Sequence, residues 1–194
     1  MLKAASAADE LRSLLGESSV IAEREQMSAF LNEPRRRFFT SAAAVVLPRE
    51  VAQVQAVARW ANERRVGLVP QGGNTGLVGA QVPQRGDEVI VSLRRLDRIR
   101  AIDADAGNMV AEAGVILENV HRAAEDQGAM FPLWIASQGS ARVGGVLSSN
   151  AGGVQVLAFG NARELCMGVE AVLADGRLYR GLNALKKDNT GYDL

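Results

Sequence analysis

The chain has 194 residues, of which 47% are hydrophobic and 23% charged, a composition typical of a globular protein. Its 22 basic and 22 acidic residues balance, so net charge gives no support for binding nucleic acid or an anionic membrane. The single cysteine, Cys166, cannot form an internal disulfide and favours a reduced, cytoplasmic setting. No apolar run reaches the roughly 20 residues that span a bilayer, and the acidic N-terminal segment does not resemble a signal peptide.

The first part of the chain predicts a short helix at 8–15, followed further on by a small parallel α/β unit. Between them, the basic and aromatic stretch 33–39 is interpreted either as a solvated loop with Phe38 and Phe39 turned inward or as an edge that contacts a bound anion. The unit itself is predicted as a strand at 42–48, an amphipathic helix at 49–65 and strands at 68–70 and 87–93. A strand–helix–strand order with a short return implies parallel pairing.

The second part of the chain predicts an antiparallel α+β unit. Its predicted elements are a hairpin at 96–114 with its turn at Asp105–Asn108, a helix at 115–129, a glycine-rich loop at 137–153 and a hairpin at 169–181 with its turn at Asp175–Gly176. We find no internal repeat and no linker long enough to separate independent domains. The sequence therefore predicts two compact units in one α+β chain.

The usual catalytic residue types are scarce in this sequence. His121 is the only histidine, and we expect it at an exposed or partly packed position of its helix rather than in catalysis. Cys166 has no histidine close to it in sequence, so we expect a buried structural thiol and no metal site. Trp60 and Trp134 are interpreted as packing residues.

The segment "VPQGGNTGLVGA", residues 69–80, is the clearest functional signal. Glycines at 72, 73 and 76 allow positive φ and remove the Cβ atoms that would hold a ligand away. Consecutive backbone N–H groups can then converge on an anion such as a pyrophosphate, with Asn74 and Thr75 as side-chain donors. The segment lacks the Rossmann fingerprint, which requires G-x-G-x-x-G between a strand and a helix. A tight structural turn is the alternative.

A second segment, "SQGSARVGGVLSSNAGG" at 137–153, contains five glycines in seventeen positions. A structural loop of this length without its own regular structure is uncommon. Small residues let the backbone press against a flat group, and Ser148, Ser149 and Asn150 can hydrogen-bond to a sugar-like chain or a ring edge. The two segments together are suited to the opposite ends of one elongated cofactor.

Four segments, "VPQGGNTGLVG", "GGVLSSNAGG", "GVEAVLADG" and "LKKDNTGYDL", occur in this order and resemble the PCMH-type FAD-binding domain of the vanillyl-alcohol oxidase / p-cresol methylhydroxylase flavoproteins. The similarity covers roughly residues 30–194 and is greatest to the D-2-hydroxyglutarate, D-lactate and glycolate dehydrogenases. It implies an α+β fold with a lead-in at 1–39, a first FAD subdomain at 40–95 and an incomplete second FAD subdomain at 96–194. The C-terminal substrate domain of the family is expected to be absent.

The resemblance also implies which residues hold the cofactor. The first segment would wrap the FAD pyrophosphate, and the second would line the ribityl and ring-bearing part. The implied residues are Pro70, Gly72, Gly73, Asn74, Thr75, Gly76, Leu77, Ala80 and Gln81 in the first segment, and Gln138, Gly139, Gly144, Gly145, Ser148, Asn150 and Gly152 in the second. Asn74 stands where relatives that tether FAD commonly carry histidine, so non-covalent FAD is expected.

By the same resemblance, the activity is hydride transfer from the α-carbon of a small 2-hydroxy acid to FAD. The substrate would be bound through a missing domain or another chain, so the catalytic residues stay unknown and a chain ending at Leu194 is expected to be inactive alone. An apolar face exposed in this way would favour a homo-oligomer. The alternatives are a flavin-binding module without activity and a different FAD oxidoreductase of the same fold, such as a cell-wall-precursor reductase.

Overall fold

The computed structural model describes residues 4–38, 40–185 and 188–191. The helices are α1 (Ala4–Leu15), α2 (Arg24–Leu31), α3 (Val51–Arg64), α4 (Leu117–Glu125), α5 (Val143–Ser148) and α6 (Val156–Phe159). The strands are β1 (Val20–Ile21), β2 (Ala44–Val46), β3 (Leu68–Gln71), β4 (Val89–Ser92), β5 (Ile99–Asp103), β6 (Asn108–Ala111), β7 (Val169–Val172) and β8 (Leu178–Gly181). Parts of the "LKKDNTGYDL" motif, and Phe39, lie outside the described residues.

The first half of the chain folds around a four-stranded sheet in the order β1-β2-β4-β3. Strands β2 and β3 both run parallel to the central β4, where Val45 and Val69 pair with Ile90 from either side. The short strand β1 adds an antiparallel edge beside β2. The parallel unit predicted from the strand–helix–strand pattern is therefore confirmed.

Helices cover both faces of this sheet, which explains why β2 and the first three positions of β4 are apolar. Val46, Val89 and Val91 face α1 and α3 and pack with residues such as Leu11 and Trp60. The alternate positions Val45 and Ile90 face α2 and pack with its two buried residues, Met27 and Phe30. Because side chains alternate across a strand, the continuous run of valines and isoleucine serves two separate cores.

The second half contains two antiparallel hairpins, as the sequence predicts. Strand β5 pairs with β6, and β7 pairs with β8. A third core gathers residues from α4, α5 and the segment between them, including Leu117, Leu133 and Val146. The turn of the second hairpin contacts the first half, because the side chain of Gln55 on α3 donates to the carbonyl oxygen of Gly176 at 2.8 Å.

Two expectations for single residues are wrong. His121 is buried, with 3% of its surface exposed, and its Nε2 lies 3.0 Å from the carbonyl oxygen of Leu133. The imidazole also stacks on Trp134, with ring centroids 4.2 Å apart. Cys166 is half-buried rather than buried, and its Sγ lies 3.6 Å from the carbonyl oxygen of Gly168. Trp60 is a packing residue, as expected, and its Nε1 donates to a carboxylate oxygen of Glu10.

Candidate functional site

The first glycine segment forms an irregular loop at the carboxyl end of β3. Strand β4 is parallel to β3, so its carboxyl end lies at the same edge of the sheet. In the described part of the chain, no protein acceptor takes a hydrogen bond from any backbone N–H between Gly72 and Gln81. Gly72 to Thr75 are nevertheless half-buried. These N–H groups are therefore available to an external acceptor.

The backbone geometry of the loop differs from the sequence expectation. Gly72, Gly73 and Gly76 do not have positive φ, so the expectation that they supply it is wrong. Positive φ occurs instead at Asn74, with φ 56°, and at Gly79, with φ 78°. Asparagine tolerates the left-handed region because its short amide can hydrogen-bond locally, so the loop bends at Asn74 rather than at its neighbouring glycines.

The side chain of Asn74 is not a free donor, which corrects a second expectation. Its Nδ2 donates to the carbonyl oxygen of Asn32 at 2.8 Å and lies within 3.5 Å of the carbonyl oxygens of Ala29 and Phe30. Gln71 also donates to Phe30, at 2.8 Å. Both amides therefore satisfy carbonyl groups at the carboxyl end of α2, where helix carbonyls have no partner of their own.

A hydrogen bond within the first segment stabilises the rest of this loop. Gln81 donates through Nε2 to the carbonyl oxygen of Gly76 at 2.7 Å, so its amide closes the loop on itself. Thr75 is half-buried, whereas Pro70, Leu77 and Ala80 are exposed. The backbone amides of the loop are thus available donors, whereas the side-chain amides of Asn74 and Gln81 are engaged.

A contact from the preceding loop fixes the far end of this segment. The ring of Phe38 lies so close to Gly79 that a Cβ on that glycine would stand 2.5 Å from it. The carboxylate of Glu33 accepts the backbone N–H groups of Arg35, at 2.7 Å, and of Arg37. Burial alone would raise the pKa of Glu33, but these hydrogen bonds outweigh it and the pKa is lowered. A protein carboxylate therefore occupies two backbone N–H groups of the stretch 33–39, which sequence analysis interpreted in one alternative as an edge that contacts a bound anion.

The second glycine segment contains a helix, so the expectation that 137–153 has no regular structure is wrong. Residues 143–148 form α5, whose first turn is held from outside. The N–H of Val143 donates to Val115 at 3.0 Å, and that of Gly144 donates to Ala113 at 2.9 Å. A Cβ on Gly144 would lie 2.8 Å from the Cβ of Ala113, so glycine is needed there for close packing.

The two glycine segments touch each other. A Cβ on Gly73 would overlap the carbonyl oxygen of Ser140, and a Cβ on Gly72 would stand 3.7 Å from the backbone nitrogen of Gly145. The backbone of the first loop therefore lies directly against the second. The structure brings together the two segments that sequence analysis assigned to one cofactor.

Other residues selected in the second segment have mixed surroundings. The hydroxyl of Ser148 donates to Gly144 within its own helix at 2.6 Å, and Oδ1 of Asn150 accepts the N–H of Arg163 at 3.0 Å. Gln138 is half-buried and its carbonyl accepts the N–H of Glu118. Gly152 lies beside Asn161, whose Oδ1 would stand 2.6 Å from an added Cβ. The Ser148 hydroxyl, the Asn150 side chain and the Gln138 carbonyl thus each already have a hydrogen-bond partner within the protein.

Gly145 and Gly139 face space that the described residues do not fill. A Cβ on Gly145 would meet no atom within 4 Å, and one on Gly139 would meet only Oε2 of Glu118 at 3.7 Å. A separate cavity of about 900 Å³ has Gly72, Gly144 and Ser148 in its wall, but most of its wall comes from α3, β3 and the two hairpins, and neither Gly139 nor Gly145 lines it.

Comparisons with known proteins agree with this arrangement. A family model described as an FAD binding domain matches residues 42–181. A probable mitochondrial D-2-hydroxyglutarate dehydrogenase of Oryza sativa subsp. indica is 40% identical, covering 94% of this chain and 33% of the relative. A D-2-hydroxyglutarate dehydrogenase of Xanthomonas citri pv. viticola is 42% identical over 82% of this chain and 34% of the relative. The chain thus spans about a third of the length of these relatives.

A solved structure extends the similarity to the fold. The structure of p-cresol methylhydroxylase with substrate bound has a TM-score of 0.77 to this chain at 24% identity, and covers 98% of this chain and 39% of that one. The chain belongs to the FAD binding domain family, and its fold is the α+β fold of the PCMH-type flavoproteins.

The residues present fit FAD as the cofactor of this family. FAD has an anionic diphosphate between two extended organic parts, and it needs many donors at its centre and little side-chain bulk along its length. The free N–H groups of the first segment meet the first need. The open sides of Gly139 and Gly145 meet the second.

Proposed function

We propose that this chain is the FAD-binding part of a 2-hydroxy-acid dehydrogenase and that it holds FAD without a covalent bond. The observation that carries the proposal is the half-buried run of unpaired backbone N–H groups from Gly72 at the carboxyl edge of a parallel sheet. Anions bind at such clusters because several partial positive charges converge without any Cβ in the way. The relatives' names supply the substrate class, since two of them are D-2-hydroxyglutarate dehydrogenases.

The proposed division of labour follows the two segments. In the first, the backbone at Gly72, Gly73, Asn74, Thr75, Gly76 and Leu77 would receive the diphosphate, with Pro70, Ala80 and Gln81 at its margins. In the second, Gln138, Gly139, Gly144, Gly145, Ser148, Asn150 and Gly152 would lie along the ribityl and ring-bearing part. We further propose that residues 1–39 are a lead-in and that the two FAD subdomains meet at residues 95 and 96.

The surroundings of Asn74 support non-covalent attachment. An amide is not a nucleophile that could bond to the flavin ring, and this one is engaged with the end of α2. FAD supplies the hydride-accepting chemistry when it is bound, while the chain positions it and shields it from water. The group that takes the hydroxyl proton is proposed to lie outside this chain, because His121 is buried under Trp134 and an arginine does not deprotonate at neutral pH.

The test is to mix the purified chain with FAD, remove free ligand and record the flavin absorption. We expect bound flavin that passes into the supernatant when the protein is precipitated with acid. Protein that never acquires a flavin spectrum would contradict the proposed binding, and yellow precipitate would contradict the non-covalent attachment. A dye-linked assay with D-2-hydroxyglutarate, D-lactate and glycolate tests the activity, and for the chain alone we expect no turnover above free flavin.

The cellular location of the protein remains a prediction. Among the described residues, no helix is long and apolar enough to cross a membrane. The relative from Oryza sativa is named as mitochondrial, so the cytoplasmic location expected from Cys166 stays a prediction. The same holds for the expected homo-oligomer.

A further inference from the structure

Arg94 lies at the same edge of the sheet as the first glycine loop, although its place in the sequence gives no functional signal. It follows the carboxyl end of β4 in a short 3-10 turn, Leu93–Arg95, at the sheet edge where β3 leads into the loop. Its guanidinium carbon stands 4.3 Å from the centroid of the Phe30 ring. The carbonyl oxygen of Phe30 accepts hydrogen bonds from Gln71 and Asn74. Phe30 therefore contacts both groups: its ring packs on the guanidinium of Arg94, and its carbonyl oxygen accepts hydrogen bonds from Gln71 and Asn74.

Arg94 has no anionic partner among the described residues. No carboxylate in that part of the chain lies within 4 Å of its guanidinium, and its Nε is shielded from solvent without a hydrogen-bond partner. Other arginines are paired: Arg98 and Arg100 both contact the buried carboxylate of Glu112, at 2.9 and 3.1 Å. A partly buried cation without an anion is costly, so Arg94 calls for a negative group from outside.

A second arginine strengthens the positive potential at this point. Arg142 donates through Nη1 to the carbonyl oxygens of Gly114 and Arg94. Its Cβ would lie 3.4 Å from a Cβ on Gly72, which places it against the start of the loop. Burial lowers the pKa of both arginines, and the charge of Arg142 lowers that of Arg94 further. Asp97 favours the charged form of Arg142 but makes no ion pair with it within 4 Å.

We propose that Arg94, supported by Arg142, is an anion-binding residue that takes a phosphate oxygen of FAD beside the free amides of the glycine loop. The inference rests on the proposed binding of FAD. A guanidinium suits this position because its planar fork offers two parallel donors to a phosphate, and the Phe30 ring fixes the plane of that fork. Arg142 holds the backbone beneath Arg94 and contributes a second positive charge.

The experiment compares FAD and riboflavin, because riboflavin has the ring and ribityl chain but no phosphate. Dissociation constants are measured by flavin fluorescence for the wild-type chain, Arg94→Gln and Arg94→Lys. We expect Arg94→Gln to weaken FAD binding by about tenfold or more, as a charge-assisted hydrogen bond is lost, while riboflavin binding does not change. Arg94→Lys keeps the positive charge but lacks the two parallel donors of a guanidinium. Its dissociation constant for FAD should therefore lie between those of the wild type and Arg94→Gln.

The matched control is Arg177→Gln, since Arg177 is exposed and contacts Asp175 on a remote turn. It should leave both dissociation constants unchanged. If the wild-type chain binds FAD and Arg94→Gln binds it equally well, the assignment of Arg94 is wrong and the proposed function stands. Absence of FAD binding by the wild-type chain would instead refute the proposed function.

One further result would also overturn the assignment. Equal weakening of FAD and riboflavin in both Arg94 variants would show that the side chain only supports the fold. If Arg94→Gln does not fold, the ratio of FAD to riboflavin affinity in Arg94→Lys decides, because riboflavin lacks the ADP part of FAD and a role confined to the fold leaves that ratio unchanged.

Discussion

The two glycine-rich segments look alike in sequence but differ in the structure. The first, from Gly72 to Gln81, is irregular, and none of its backbone N–H groups donates to a described protein acceptor. The second, 137–153, encloses the helix α5, and its glycines pack on the hairpin and on the first segment. Glycine content thus predicts that a backbone makes a close approach, but it does not say whether protein or ligand is approached.

Individual glycines can be sorted by what a side chain would meet. At Gly73 a Cβ would overlap the carbonyl oxygen of Ser140, and at Gly153 it would overlap that of Trp134. At Gly145 it would meet nothing within 4 Å. At Gly73 and Gly153, neighbouring protein atoms explain why glycine is needed. At Gly145, no described residue would be in the way of a side chain. Substitutions at the two kinds should therefore have different consequences.

The largest effect is expected for Gly73→Ala. The new methyl group would force the two segments apart, which is an overpacking of backbone against backbone. We expect the free energy of unfolding to fall by about 3 kcal/mol, with loss of FAD affinity as a secondary effect. Urea unfolding followed by circular dichroism measures this. A Gly73→Ala chain as stable as the wild type would show that the segments are not in contact.

Asn74→Ala should give the next largest effect. It removes the hydrogen bonds from Nδ2 to the end of α2 and places an alanine at φ 56°. Together these should cost about 2 kcal/mol of unfolding free energy. Asn74→Gly is the matched variant, since it keeps the backbone freedom and should lose only the hydrogen-bond part, about 1 kcal/mol. Equal losses in both variants would contradict this division.

Gly145→Ala should separate stability from binding. Glycine is a poor helix former, so alanine in α5 should leave the unfolding free energy unchanged or raise it by about 0.5 kcal/mol. The methyl group would nevertheless occupy the open space beside Gly72, and FAD affinity should fall by about tenfold. Thermal unfolding and flavin fluorescence on one preparation measure both. Unaltered affinity would place the cofactor elsewhere.

The smallest effect is expected for Gly139→Ala. Its methyl group would meet only Oε2 of Glu118, at the ordinary contact distance of 3.7 Å. We expect the unfolding free energy to change by less than about 0.5 kcal/mol. FAD affinity reports whether the open side of Gly139 faces the cofactor, and a loss smaller than that of Gly145→Ala is expected. A loss of several kcal/mol in stability would mean that this segment packs more tightly than described.

The elements that the sequence predicts well are those with one dominant pattern. The apolar runs of β2 and β4 and the helical spacing of α3 are local signals that tertiary contacts reinforce. Strand β1 and helix α2 were not predicted, since β1 has only two residues and α2 buries only Met27 and Phe30. The helix α5 was not predicted because two adjacent glycines oppose it. Its first turn is held by hydrogen bonds that the N–H groups of Val143 and Gly144 donate to the carbonyl oxygens of Val115 and Ala113.

At the candidate site, too, the features with a local sequence pattern could be predicted, and those that depend on residues distant in the sequence could not. The glycine pattern indicates where the backbone must approach something, and the two segments do meet. The orientation of Asn74 depends on the carbonyl groups of α2, more than 40 positions away in the chain. Arg94 gave no sequence signal, because an arginine at the end of a strand is common and only the absence of a carboxylate around it is informative.

The packing of His121 provides a natural spectroscopic reporter. Its Nε2 faces the carbonyl oxygen of Leu133, which can only accept, so Nε2 carries the hydrogen. The ring stacks on Trp134, whose own carbonyl accepts the N–H of Val154 and contacts Gly153 at the end of the second glycine segment. Since the chain has one histidine, its Nε2–H group gives a single proton NMR signal of this kind. That signal, shifted by the indole ring current, would register a movement of the glycine segment without any foreign probe being attached.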